Sequence, residues 1–315
     1  MPVTLNLKKG IDLPVYQWLR FIPVTAAAGH CICTDERGTN RFIYIMAGIA
    51  AFYRYDTWTD SFELLASPGA LGGSGTWGAG TCMVFDPSQG AAGRIWLLNG
   101  YTTQCGFGYY DIATNVWTSR SIATLPAVWG TDGAMVHTCS TYDAAGNDDY
   151  IYLIGNGATP FYRYSIAGNS WSVMANPVTA AVGAGCSIHW VFGYNVDRIY
   201  VLRGGASATI YYYSIGTPGW TTVTYVPGSE TFTTGSSCVY DALNRIYIQK
   251  DATHRQYYFQ LDENKMYPGG MYPYTSGTAM AGDGLVFIKT IDDATYLYYR
   301  RQLGTEFFRM LIGWF

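Results

Sequence analysis

One short pattern recurs six times along this 315-residue chain and restricts its fold more than any other feature. Six apolar runs carry an aromatic near the middle: Phe42-Ile43-Tyr44-Ile45, Ile95-Trp96-Leu97-Leu98, Ile151-Tyr152-Leu153-Ile154, Ile199-Tyr200-Val201-Leu202, Ile246-Tyr247-Ile248 and Leu285-Val286-Phe287-Ile288. The aromatics at 44, 96, 152, 200, 247 and 287 stand 52, 56, 48, 47 and 40 residues apart. Four of the runs follow an Arg (Arg41, Arg94, Arg198, Arg245) and a polar turn. Before the turn comes a small-residue segment ending in an aromatic and an Asp, as in Cys82-Met83-Val84-Phe85-Asp86. After the run comes a Tyr-rich segment, then a delayed large aromatic (Phe62, Trp117, Trp171, Trp220). Such β-branched and aromatic stretches between Gly-rich turns predict four short strands per unit. No stretch sustains a helical apolar period beyond about two turns.

A four-stranded sheet cannot bury both faces alone, so six units must pack face to face around an axis, which also protects the sheet edges. The predicted fold is therefore all-β, a six-bladed propeller of four-stranded antiparallel blades. The units fall at about 25–68, 76–126, 131–177, 180–228, 231–274 and 276–312, with 1–14 as an N-terminal arm and 15–315 as one domain. Two segments compete for the last position of the circle. Val15 to Phe21 reads as a fourth strand supplied from the N-terminus, and Glu306 to Ile312 reads as another, which leaves one of them surplus.

The order apolar strand, glycine, Tyr-rich strand and delayed Trp resembles the kelch repeat, most closely in Arg198-Ile199-Tyr200-Val201-Leu202-Arg203-Gly204-Gly205 followed by Tyr212 and Trp220. The resemblance covers nearly the whole chain, although the double glycine occurs in that unit alone. It implies a kelch-like propeller, an architecture that carries many functions.

Composition removes several of these. Apolar runs are far shorter than the roughly 20 residues of a membrane helix. A net charge of -3, with no basic block longer than Arg300-Arg301, argues against a nucleic-acid partner. The N-terminal segment lacks the apolar core of a signal peptide. The seven cysteines (31, 33, 82, 105, 139, 186, 238) make no CxxC pair and read as reduced packing residues near the axis.

No constellation for catalysis stands out. The GxGxxG match from Gly73 precedes a strand rather than a helix and reads as a loop. His30, His137 and His189 fall in or beside innermost strands. His30 lies five residues before Asp35 and His137 six before Asp143, an odd difference that turns them to opposite faces, so no metal site is expected. Kelch-type copper oxidases use Tyr and His ligands, and this chain lacks a neighbouring His pair. No catalytic residue, cofactor or metal is assigned.

The apolar C-terminus offers two readings, a buried final strand or a docking segment built on Phe307, Phe308, Leu311, Ile312, Trp314 and Phe315. Irregular repeats, low charge and Tyr- and Gly-rich strands are similar in kind to the propeller-type structural proteins of tailed bacteriophage virions. That resemblance implies a non-enzymatic tail or head-tail component, made in the host cytoplasm. Its partners would be copies of itself and other proteins of the particle. The alternatives are a cytoplasmic protein and a carbohydrate-binding or metal-dependent oxidase-type propeller.

Overall fold

The computed structural model describes residues 16–18, 30–35, 38–47, 51–69, 71, 78, 80–100, 105–126, 129, 133–138, 149–155, 161–175, 181–192, 197–223, 230–250, 255–271, 284–289, 294–300 and 307–314. Their strands form six four-stranded antiparallel sheets. Blade one is β2 (His30–Thr34), β3 (Phe42–Ala47), β4 (Phe52–Asp56) and β5 (Ser61–Leu65), in that order from the axis outward. Blade two is β6 (Cys82–Asp86), β7 (Arg94–Asn99), β8 (Gly106–Asp111) and β9 (Val116–Ser119). Blade three is β10 (Gly133–Thr138), β11 (Tyr150–Gly155), β12 (Phe161–Ser165) and β13 (Ser170–Met174). Blade four is β14 (Ser187–Val191), β15 (Arg198–Leu202), β16 (Ile210–Ser214) and β17 (Gly219–Val223). Blade five is β18 (Ser237–Tyr240), β19 (Arg245–Lys250), β20 (Arg255–Gln260) and β21 (Lys265–Met271).

Blade six departs from the sequence expectation. Its inner strand is β22 (Gly284–Lys289), followed by β23 (Ala294–Arg300), β24 (Phe307–Trp314) and, at the rim, β1 (Tyr16–Trp18). Leu285 to Ile288 is thus the first strand of its blade rather than the second. It is apolar because both of its faces are covered, Leu285 and Phe287 by blade five and Val286 and Ile288 by blade one. The sixth member of the aromatic series is Tyr298, which stands 51 residues after Tyr247 and restores the spacing. Neither competing terminal segment is surplus. β24 is the third strand, and β1 closes the circle on it in the register Tyr16↔Met310, Gln17↔Arg309, Trp18↔Phe308. The proposed arm at 1–14 lies outside the described residues.

Strand alternation builds the core. Ile43 and Ile45 pack against blade six, whereas Tyr44 and Met46, between and after them, pack against blade two. The second strands of the other blades repeat this: Ile95 and Leu97 face back to blade one while Trp96 and Leu98 face forward to blade three. Every central aromatic therefore lies between its own blade and the next, at about 1.5–3 kcal/mol for each fully buried side chain. Trp96, Tyr44 and Tyr152 are all but inaccessible to solvent.

Hydrogen bonds tie the rim of each blade to its neighbour. The indole Nε1 groups of Trp117, Trp171 and Trp220 donate to the carbonyl oxygens of Ala66, Ser121 and Ala175 in the preceding blade, at 2.9, 3.0 and 2.8 Å. The delayed Trp of the sequence pattern is this staple. The Arg that opens the second strand lies over a Tyr of the third, Arg94 over Tyr109 and Arg198 over Tyr212 at 4.1 Å each.

Candidate functional site: the axial channel

The inner strands β2, β6, β10, β14, β18 and β22 touch in a closed ring and leave a channel along the axis. At the end where these strands begin, small residues (Thr81, Gly133, Ser187, Ser236) leave a chamber of about 160 Å³. Further along lies a second chamber of about 80 Å³. Ile32, Met83, Met135, Ile188 and Leu285 line both and form an apolar girdle between them. Among the described residues, neither wall carries a carboxylate, a Lys or an Arg.

The histidines divide between the chambers. His30 and His189 border the first, His137 and His189 the second. His30 and His137 are separate as expected, but for a different reason. Thr138, not Asp143, occupies the register position of Asp86, since Asp86 pairs with Arg94 and Thr138 with Tyr150. Asp143 lies outside the described residues. His30 and His137 consequently share a face and stand four positions apart in the ladder, about 13 Å along the strand direction. His137 is fully buried with its Nε2 3.3 Å from the Asp86 carboxylate, which also accepts from the Trp96 indole at 2.9 Å and from the Ser88 hydroxyl at 2.6 Å. This cluster links blades two and three. Among the described residues, no three His, Cys, Asp or Glu side chains are grouped so as to hold a metal ion.

Four cysteines border the first chamber, Cys31, Cys82, Cys186 and Cys238. Burial pushes the Cys82 thiol well above its ordinary pKa, and the neighbouring Cys31 and Cys186 push it further. Burial also pushes Cys238 up to about 12. Cys33 and Cys105, like Cys82 and Cys238, pack in the clusters between blades, and Cys139 is outside the described residues.

The C-terminal residues singled out from the sequence are placed in blade six. Phe307 has no exposed surface and packs on Tyr55, Tyr298 and Phe62 with ring centroids 5.1, 5.8 and 6.0 Å away. It belongs to the core, which corrects its reading as a docking residue. Leu311 and Ile312 are half-buried on the same strand. Phe308 and Trp314 pair within that strand but their side chains, like Phe315 altogether, lie outside the described residues.

Among the described residues, the most exposed large apolar side chains lie elsewhere, and sequence reasoning missed them because a strand pattern does not reveal which face solvent meets. Leu64, Val116 and Val173 are 64, 52 and 60% exposed on the outer strands of blades one, two and three, and Trp58 is 51% exposed in the turn that leads into the first of these strands. At the second end of the axis, Phe192, Tyr240, Phe287, Lys289 and Thr295 line a pocket of about 210 Å³.

No family model and no curated protein matches this chain. Several solved structures do. That of YjhT is similar with a TM-score of 0.61 and 11% identity, over 93% of this chain and 96% of the other. An auxiliary nutrient binding protein from Bacteroides thetaiotaomicron is similar at 0.59 and 10%, over 91% and 69%. A counterpart of that description from Bacteroides ovatus is similar at 0.59 and 12%, over 91% and 69%. At these identities the likeness is one of fold. This chain is a six-bladed β-propeller.

Proposed function

We propose that this propeller is a non-enzymatic structural and interaction protein, a tail or head-tail component of a bacteriophage virion that joins copies of itself or other proteins of the particle. The observation supporting an assembly role is the apolar rim formed by Trp58, Leu64, Val116 and Val173 on three consecutive blades. Scattered apolar residues are ordinary on a surface, but several on neighbouring outer strands favour association. The kelch-like order of the repeat supplies the scaffold, and the rim supplies a contact surface beside the loops and terminal segments. The test is gradient sedimentation of a native lysate of the source with mass spectrometry of the fractions. Migration with large particles at fixed stoichiometry is expected. Recovery solely as a species near 34.8 kDa would overturn the proposal.

One observation favours a second reading, a receptor for a small ligand. The pocket walled by Phe192, Tyr240 and Phe287 beside Lys289 offers aromatic faces and a cation, the chemistry that holds a sugar ring with polar substituents. Calorimetric titration with a panel of mono- and oligosaccharides tests it, and absence of heat across the panel argues against it.

A further inference from the structure

We propose that the first chamber of the axial channel binds a small neutral polyol, whose hydroxyl groups are held by Ser237, Gln249 and Gln256 in the seam between blades five and six. These three residues form one rung of blade five, since Gln249 pairs with Ser237 on β18 and with Gln256 on β20. They lie two positions from Val239, Tyr247 and Tyr258, which pack against blade six, so strand alternation turns the whole rung to that side. The other blades place no such group here. At the same position on the second strand, blades one to four carry Met46, Leu98, Ile154 and Leu202, and opposite them on the third strand Phe52, Phe107, Phe161 and Ile210, all buried in the apolar core. Blade five puts a carboxamide at both positions without bringing either to the surface. Gln249 is 0% exposed, Gln256 4% and Ser237 8%.

Burial without partners is the decisive observation. The Ser237 hydroxyl, the Gln249 carboxamide oxygen and nitrogen, and the Gln256 carboxamide nitrogen have no hydrogen-bond partner among the described residues. Native interiors seldom leave one such group unpaired, and four atoms on a single rung call for an occupant that both donates and accepts. The chemistry of the rung sets its class. Two amide N–H₂ groups donate, the Gln249 oxygen accepts and the Ser237 hydroxyl does either, which matches hydroxyl groups, themselves donors and acceptors. An anion would meet the Gln249 oxygen and an ammonium the two amide donors, so neither pairs with the full set. The charged rung beside it, Lys250 and Arg255, faces the other way and is engaged by Glu230. Three side chains on neighbouring strands span about 10 Å, the reach of a short chain of hydroxylated carbons. Ser237 and Leu285, on opposite sides of the seam, both border the first chamber of about 160 Å³, which gives the polyol its way in. Leu285, Leu297 and Met310 of blade six offer apolar surface to its C–H groups.

The test is calorimetric titration of the full-length protein with erythritol, xylitol and glucose, alongside gluconate and glucosamine as charged counterparts. At least one neutral probe should bind at one equivalent, and both charged counterparts about tenfold more weakly or worse. Q249L restores the residue type of blades two and four. It should weaken binding by about tenfold or more, while the midpoint of thermal unfolding without polyol stays at least as high as the parent's. S237A copies Ala134, which holds the same place in blade three, and should weaken binding by about three- to tenfold. C105S, in the cluster between blades two and three, should bind as the parent does. Circular dichroism establishes that each variant is folded, and if Q249L does not fold S237A decides. No heat from any neutral probe would show that the rung holds water alone and would overturn the proposal. Heat undiminished in folded Q249L or S237A would come from the pocket beside Lys289 and would overturn it too. So would tighter binding of a charged counterpart or an equal loss in C105S.

Discussion

At the scale of single residues, the blades rely on side chains that each satisfy several backbone groups. Asp241 caps its hairpin by accepting from the backbone N–H groups of Leu243, Asn244 and Arg245 at 2.9, 3.0 and 3.0 Å, and Asp35 does the same for Arg41 and Phe42. Burial nevertheless raises the pKa of both carboxyls. A raised folded value means that their stabilisation is complete below the unfolded pKa and is lost as pH rises through the folded one. Asp56 has the opposite sign. The hydrogen-bonded Arg41 guanidinium is the main reason its pKa falls to about 2. Its contribution is complete above the ordinary carboxylate value near 4 and is lost as pH falls toward about 2. Urea unfolding measured across that interval should show a smaller acid-induced loss in D56N than in the parent, and equal losses would show that the pair contributes nothing. A second substitution tests the rim staple. Trp171→Phe keeps an aromatic ring but removes the donor to Ser121 O, so unfolding should become easier by about 1–3 kcal/mol. Trp58→Phe, the same exchange at a side chain 51% exposed in a turn, serves as the control with a change within about 0.5 kcal/mol.

At the scale of elements, the double glycine of blade four shows why a local signature occurs once. Gly204 and Gly205 both adopt positive φ, +66° and +61°, and a Cβ on Gly204 would strike the backbone of Ala184 and Cys186. The chain here turns tightly beside another backbone, a demand that the Gly-Gly pair meets directly. Strand β1 illustrates the opposite case. Three residues, Tyr16 to Trp18, complete blade six by pairing with a strand almost 300 positions away. Deleting residues 1–18 should expose the edge of β24, lower the midpoint of thermal unfolding and promote association through that edge. A synthetic peptide covering 15–21 should reverse both effects. A truncated chain with unchanged melting temperature and no response to peptide would show that the clasp is dispensable.

At the scale of the whole molecule, six clusters of buried side chains, one between each pair of adjacent blades, make the ring mutually dependent, while the outer strands remain available for contact. If the rim drives assembly, L64D combined with V173D should leave the melting temperature within a few degrees of the parent yet shift the protein out of particle-sized gradient fractions. Retention in those fractions would move the contact elsewhere. The repeat, the polar hairpin turns and the central aromatics from Tyr44 to Tyr247 were legible in the chain because strand alternation and turn chemistry are local. The sequence by itself determined an all-β chain of six units and hence a propeller. Tertiary structure alone decided that Leu285 to Ile288 is an inner strand, that β1 follows β24 and that Phe307 is core. Each of these depends on which blade lies beside which, and residues far apart in the chain meet only after the circle has closed.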